Sequence, residues 1–241
     1  MEKLKTLVLI PARGNSKSIK KKNLTRINNK TVIQIIFDQA RKSKIIDKIV
    51  CSSENNLIIK HCKKIGLECI LRPKNLSSDT SDIFYTAKHT LKLLEKKGEI
   101  FDIIILAQPT SPFVSAKIFD KIIKSMIKNY RISSCQTIHE TPHNYHYLNT
   151  RLLNKRNQTV NFKFENLKKN KTNKQKKEKT FNFGNLIATR VNKLLHSKNF
   201  FCQPSFGIII DKFSSFDLDN ESDLQFLNSI KKIRKINKHG V

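Results

Sequence analysis

The sequence predicts an α/β protein: a mostly parallel sheet packed between two layers of helices. Two observations carry this expectation. Short apolar runs of strand type alternate along most of the chain with amphipathic stretches of helical period. The run 101–107, FDIIILA, is apolar on both faces, as a central strand of a covered parallel sheet must be. Strand–helix–strand units in series imply right-handed crossovers and helices on both sides of the sheet.

The elements follow in order. Residues 6–10, TLVLI, read as a buried strand. A helix over 31–43 places Ile33, Ile36, Phe37 and Ala40 on one face. A strand at 48–52, a helix near 54–65 and a short strand at 67–71 come next. The helix predicted at 82–97 carries Phe84, Ala87, Leu91 and Leu94 on one stripe. The central strand leads to a helix at 115–129, with Phe119, Ile122, Ile123 and Met126 inward and Ser115 as N-cap, then a strand near 132–138. The rhythm breaks over 139–183, which holds HETPHNYHYL and the basic, Asn-rich run Lys168–Lys179. Strands at 184–189 and 206–211 and a helix near 221–234 resume it. We expect one domain over 1–241, with an excursion at about 139–183.

Composition narrows the function classes. With 241 residues the chain can bury a large core, and it has no apolar run of membrane-spanning length. Its N-terminus does not read as a signal peptide. The five cysteines are odd in number and scattered, with no CxxC. That pattern argues against a disulfide framework and a structural zinc site, and favours a reducing cytoplasm. Lys and Arg total 47 against 19 acids, a balance that invites a nucleic-acid reading. Only nine of the 47 are Arg, the better fork for phosphates, so we read the charge as compositional and expect no nucleic-acid partner.

Ligands of parallel sheets sit beyond the carboxyl ends of the strands, which directs attention to 11–23, 52–56, 72–81 and 108–114. After the first strand comes PARGNSKSIKKKN. Its Gly14 and Ser16 allow a backbone that faces an anion, with Arg13, Lys17 and Lys22 to neutralise phosphate; the alternative is a solvated basic loop. The Leu71–Ser81 stretch, LRPKNLSSDTS, sets Arg72 at a strand end before a hydroxyl-rich loop that also suits a helix cap. AQPTSP, Ala107–Pro112, is a rigid turn that either presents Gln108, Thr110 and Ser111 to a ligand or merely connects two elements. FDLDNESDL, Phe216–Leu224, alternates Asp217 with Asp219, so an extended backbone points both to one side as a metal pair. Glu221 and Asp223 suit the first turn of the last helix. His139, His143 and His146 are spaced H-x₃-H-x₂-H, but Pro142 opposes the helix a metal site would need.

Together these four segments resemble the CMP-sialic acid synthetases (acylneuraminate cytidylyltransferases). The N-terminal signature IPAR-G-SK-I--KN, then LRP--L-SDT, QPTSP and D-D-E-D occur in register and in order. The resemblance implies a three-layer Rossmann-like nucleotide-diphospho-sugar transferase fold, a homodimer, and Mg²⁺. The implied reaction moves CMP from CTP to a nonulosonic acid and releases pyrophosphate. It implies nucleotide contacts by Arg13, Ser16, Lys17, Lys22, Asn23 and Arg72, and substrate contacts by Gln108, Thr110 and Lys174. Asp217 and Asp219 would hold the metal, and Arg13, Lys22 and Asp217 would form the catalytic set. Phe113-Val114 replaces the family's Leu-Arg after QPTSP, Lys174 stands nearest the family's sugar-carboxylate Arg, and Ser18 and Lys20 replace a Gly and a Pro. The nucleotide half thus matches better than the acid-sugar half. An eight-carbon octulosonate is the alternative substrate. The rival class is a non-catalytic nucleic-acid binder that uses the 168–179 run.

Overall fold

A computed structural model describes residues 3–161 and 177–236. Its seven-stranded sheet has the order β11-β7-β10-β6-β1-β4-β5. The strands are β1 (Thr6–Pro11), β4 (Lys48–Ser53), β5 (Glu68–Leu71), β6 (Ile103–Ala107), β7 (Ser134–Glu140), β10 (Phe181–Arg190) and β11 (Ser205–Ile209). All neighbours are parallel except β10, which lies antiparallel between β6 and β7.

The alternation within β1 explains the three layers. Val8 and Ile10 enter one core, with α1 (Val32–Ala40), α2 (Asn56–Lys64) and α4 (Ala116–Lys128). Leu7 and Leu9 enter the other, with α3 (Ile83–Glu95) and α5 (Val191–Ser197). Each predicted helical stripe is the buried face of its helix, and Leu7 to Ile10 are wholly buried. Side-chain caps set three helix starts: Thr31 accepts from Gln34 N–H, Asn55 from Leu57 and Ile58 N–H, and Asp82 from Phe84 N–H. Ser115 occupies the N-cap of α4, but its side chain makes no capping bond.

Some elements depart from the sequence pattern. A hairpin, β2 (Arg26–Ile27) and β3 (Lys30–Thr31), turns through Asn28 and Asn29 at φ 48° and 66°, a turn that Asn tolerates. Over 141–161 the chain makes two single 3-10 turns and a small hairpin of β8 (Arg151–Leu153) and β9 (Thr159–Asn161). It re-enters the sheet as β10. A shift in the β10–β7 register lies between Phe183 and Ile187. Gly184 sits at this shift, where a Cβ would lie 2.6 Å from Thr137 Oγ1.

Beside it, Asn185 is buried, accepts from Thr137 Oγ1 at 3.1 Å and donates to Ser214 O at 2.6 Å. This bond ties the 211–217 segment to the sheet before α6 (Glu221–Ile236) begins. Asn185→Ala removes the bond to Ser214 O, whereas Thr137 Oγ1 keeps Leu186 O as an acceptor. The substitution should cost about 1–3 kcal/mol, read as a lower urea midpoint.

Candidate active site

At the carboxyl ends of β1, β5 and β6 the loops enclose a cleft of about 470 Å³. Arg13, Ser16, Lys22, Asn23, Arg72, Gln108, Thr110 and Asp219 all line it. Segments that are 200 residues apart in sequence therefore share one cavity because parallel strands deliver their following loops to one edge.

The basic loop and Arg72 are joined through Glu54, which directly follows β4. Its Oε1 accepts from Gly14 N–H at 2.6 Å. Its Oε2 accepts from Arg72 Nη2 at 3.1 Å and from Ser77 Oγ at 2.7 Å. The Arg72 and Glu54 side chains are only 4% and 14% exposed. Burial pushes the Glu54 carboxyl up, but the Gly14 N–H, the Ser77 hydroxyl and the Arg72 charge outweigh it and hold it below its usual value. Arg72 also bonds Ser77 Oγ and, at 3.3 Å, Thr86 Oγ1. The Gly14 N–H is therefore taken by a carboxylate of the protein and is not open to an external anion. Gly14 has no room for a side chain, since a Cβ would meet Asn55 within 2.2 Å. Sequence reasoning directed attention to 52–56 but assigned Glu54 no role. Its signal was an acid directly after a buried strand in a chain with few acids.

The basic loop is neutralised from two sides. Arg13 Nη1 and Lys17 Nζ both contact Asp79, at 2.5 and 2.6 Å. Lys22 Nζ contacts Asp219 Oδ1 at 2.7 Å. Asp79 belongs to the LSSDTS stretch, whose capping duty falls instead to Asp82. Asn23 is buried and donates to Arg13 O at 2.8 Å, which fixes the loop's path. Lys17, Lys20 and Lys21 face an adjacent groove beside Asn55 and Leu57.

The acidic wall comes from 216–223. Leu218 is wholly buried and its N–H donates to Thr110 O at 2.8 Å, so Asp217 and Asp219 flank it on the outward side. Ser111 Oγ donates to Asp217 Oδ1 at 3.3 Å. Burial pushes the Asp217 carboxyl above its usual value, and the neighbouring Asp219 charge adds to this. Such a pair suits a divalent cation, whose charge would relieve the repulsion. Glu221 and Asp223 lie in the first turn of α6, where Asp223 accepts from Asp219 and Asn220 N–H.

The remaining candidate residues behave differently. Phe113 stacks on Phe213 at 3.9 Å between ring centroids and meets Phe216 at 5.6 Å. The position beside QPTSP thus braces the acidic wall. His146 is buried; its Nε2 lies 3.1 Å from Glu178 O, and its Nδ1 accepts from Leu148 N–H. It is a packing residue, and the three histidines do not form a metal cluster. Lys174 and most of the 168–179 run lie outside the described residues.

Although they are scattered along the chain, Cys51, Cys62 and Cys69 bring their sulfurs within 4.8 Å of one another. Cys51, Cys62, Cys135 and Cys202 are buried, and all five are free thiols.

Two outcomes test the site. Glu54→Gln strands the buried Arg72 charge and should cost about 3 kcal/mol in denaturant unfolding. The depressed Glu54 carboxyl stabilises the fold above its unfolded value of 4.5, and this is lost as pH falls through its lower folded value. The variant's deficit should therefore shrink under acid. Asp217 has the opposite sign: its raised folded value means a cost that appears as pH climbs above 3.8. Metal-free Asp217→Asn should melt higher than the parent at neutral pH.

The sequence model of the cytidylyltransferase family matches residues 7–235. A pseudaminic acid cytidylyltransferase of Campylobacter jejuni is 32% identical over 127 residues, 52% of this chain and 55% of its own. An N-acylneuraminate cytidylyltransferase of Escherichia coli is 23% identical over 228 residues, 94% of this chain and 52% of its own. The chain spans about half the length of the curated relatives it matches. The solved structure of a CMP:2-keto-3-deoxy-manno-octonic acid synthetase complexed with CTP superposes with a TM-score of 0.71 at 14% identity, covering 95% of this chain and 99% of that one. At that identity the likeness is one of fold.

Proposed function

We propose that this chain, which belongs to the cytidylyltransferase family, transfers CMP from CTP to a nonulosonic acid sugar and releases pyrophosphate. One observation carries the reading: the basic loop, Arg72, the QPTSP turn and Asp219 line a single cleft. In this reading Arg13, Lys17 and Lys22 receive the triphosphate, which replaces Asp79 and Asp219 as their counter-charges. Ser16 and Asn23 shape the loop around the nucleotide, and Arg72, held by Glu54, contacts it from the far side.

Gln108 and Thr110 orient the sugar, with Lys174 toward its carboxylate. The sugar's anomeric hydroxyl oxygen attacks the α-phosphorus, and the bond to the pyrophosphate oxygen breaks. Arg13 and Lys22 stabilise the charge that collects on the phosphate oxygens. The hydroxyl proton passes to Asp217 or to a water. Mg²⁺ held by Asp217 and Asp219 would neutralise phosphate oxygens and acidify the hydroxyl.

The reading includes a homodimer in a reducing cytoplasm. Phe206 and Ile209, on the edge strand β11, are 50% and 62% exposed and offer apolar surface for a second copy. Among the described residues no helix is long and apolar enough to cross a membrane. The loop cations face acids inside a cleft, which supports a small triphosphate over a nucleic-acid backbone.

The test is pyrophosphate release from CTP with a panel of nine-carbon acid sugars and the eight-carbon octulosonate. Release should require both Mg²⁺ and a nine-carbon sugar. Asp219→Asn should lower kcat by about 10²–10³. No release with any sugar from folded protein, or steeply salt-dependent nucleic-acid binding in its place, would sink the proposal. Release with the octulosonate alone would overturn the sugar assignment.

A further inference from the structure

Three thiols from three elements converge beneath the nucleotide loop. Cys51 of β4 and Cys69 of β5 are direct neighbours across the parallel pair. Cys62 reaches the same point from α2, on the face of the sheet that also receives Cys51. The three sulfurs lie within 4.8 Å of one another. Four tetrahedral bonds of about 2.3 Å to zinc set sulfurs about 3.8 Å apart, so closure asks for at most about 1 Å of side-chain movement. Cys51 and Cys62 are wholly buried, while Cys69 is half-buried. Cys69 is therefore the open corner, where a cation enters and a water or small ligand completes its shell.

A thiolate, not a thiol, is what a metal takes, so binding releases protons. Carboxylates do not contribute, so the donor set is soft throughout. It would select a d¹⁰ cation over Mg²⁺, which prefers oxygen.

We propose that Cys51, Cys62 and Cys69 bind one thiophilic d¹⁰ cation, Zn²⁺ or Cu⁺. The bound ion would tie α2 to β4 and β5 at a fixed point. From Cys51 the chain reaches Glu54 in three residues, and from Cys69 it reaches Arg72 in three. The clamp thus sits directly behind the ion pair that supports the nucleotide loop, and it is separate from the Asp217–Asp219 pair.

The test uses the full chain, reduced and stripped of metal under argon, with Co²⁺ as the spectroscopic probe and Zn²⁺ as the competitor. One equivalent of Co²⁺ should produce thiolate-to-metal charge-transfer absorption, which one equivalent of Zn²⁺ removes and excess Mg²⁺ leaves unchanged. Cys62→Ser and Cys69→Ser should each weaken binding at least about tenfold, since loss even of an outer partner has that effect. Cys135→Ser should bind as the parent does, and Asp217→Asn should keep the charge-transfer band. Zn²⁺ should also raise the melting temperature of the parent but not of Cys69→Ser. No charge-transfer band at stoichiometric Co²⁺, or a band that persists at full strength in both Cys62→Ser and Cys69→Ser, would overturn the proposal. Either result would leave three thiols packed as small apolar groups. None of these readouts depends on CTP or a sugar, so the metal site stands or falls separately from the transferase reading.

Discussion

The Glu54 carboxylate is the interaction on which the cleft depends. It gathers a backbone N–H from the loop after β1, a guanidinium from the loop after β5 and a hydroxyl from the turn that follows. A buried ion pair gains little net free energy once desolvation is counted, so its value lies in position more than in stability. Three loops that would otherwise move separately share one acceptor. Arg72 is thereby held in one place in the lining of the cleft.

Charge is arranged around that anchor in a balanced way. Arg13 and Lys17 lean on Asp79, and Lys22 leans on Asp219. These pairs are solvent-exposed on at least one side and so contribute little to stability. Their effect is to hold a strongly basic loop against acids that line the same cleft. Elsewhere Lys3, Lys30, Lys48 and Lys97 also pair with acids, and with 47 basic residues to 19 acids the surplus fits the compositional reading of the net charge.

The acidic wall is held by apolar contacts. Leu218 is buried between the two aspartates, and the Phe113, Phe213 and Phe216 rings pack behind it. Phe113, the residue after Pro112 of the QPTSP turn, thus supports the carboxylates through ring contacts.

The strand order was legible in part, because buried strands and one-sided helices have different periods and TLVLI or FDIIILA admit few readings. The four loop segments were legible as candidates because parallel sheets bind at strand ends. The antiparallel run of β10 was not, since strand direction depends on where a long connection returns. Helix α5 was missed for a related reason: its seven residues bury only Leu194, too little to leave a stripe. Glu54 and Asp79 gained roles only from neighbours 40 and 66 residues away. The cysteines show the same limit, since Cys51, Cys62 and Cys69 form no metal-binding spacing yet meet across two strands and a helix. By itself the sequence determined periodicity, caps and the chemistry available at each strand end, which are local properties. Which donor faces which acceptor was decided by the tertiary structure alone, because that pairing depends on distance through space.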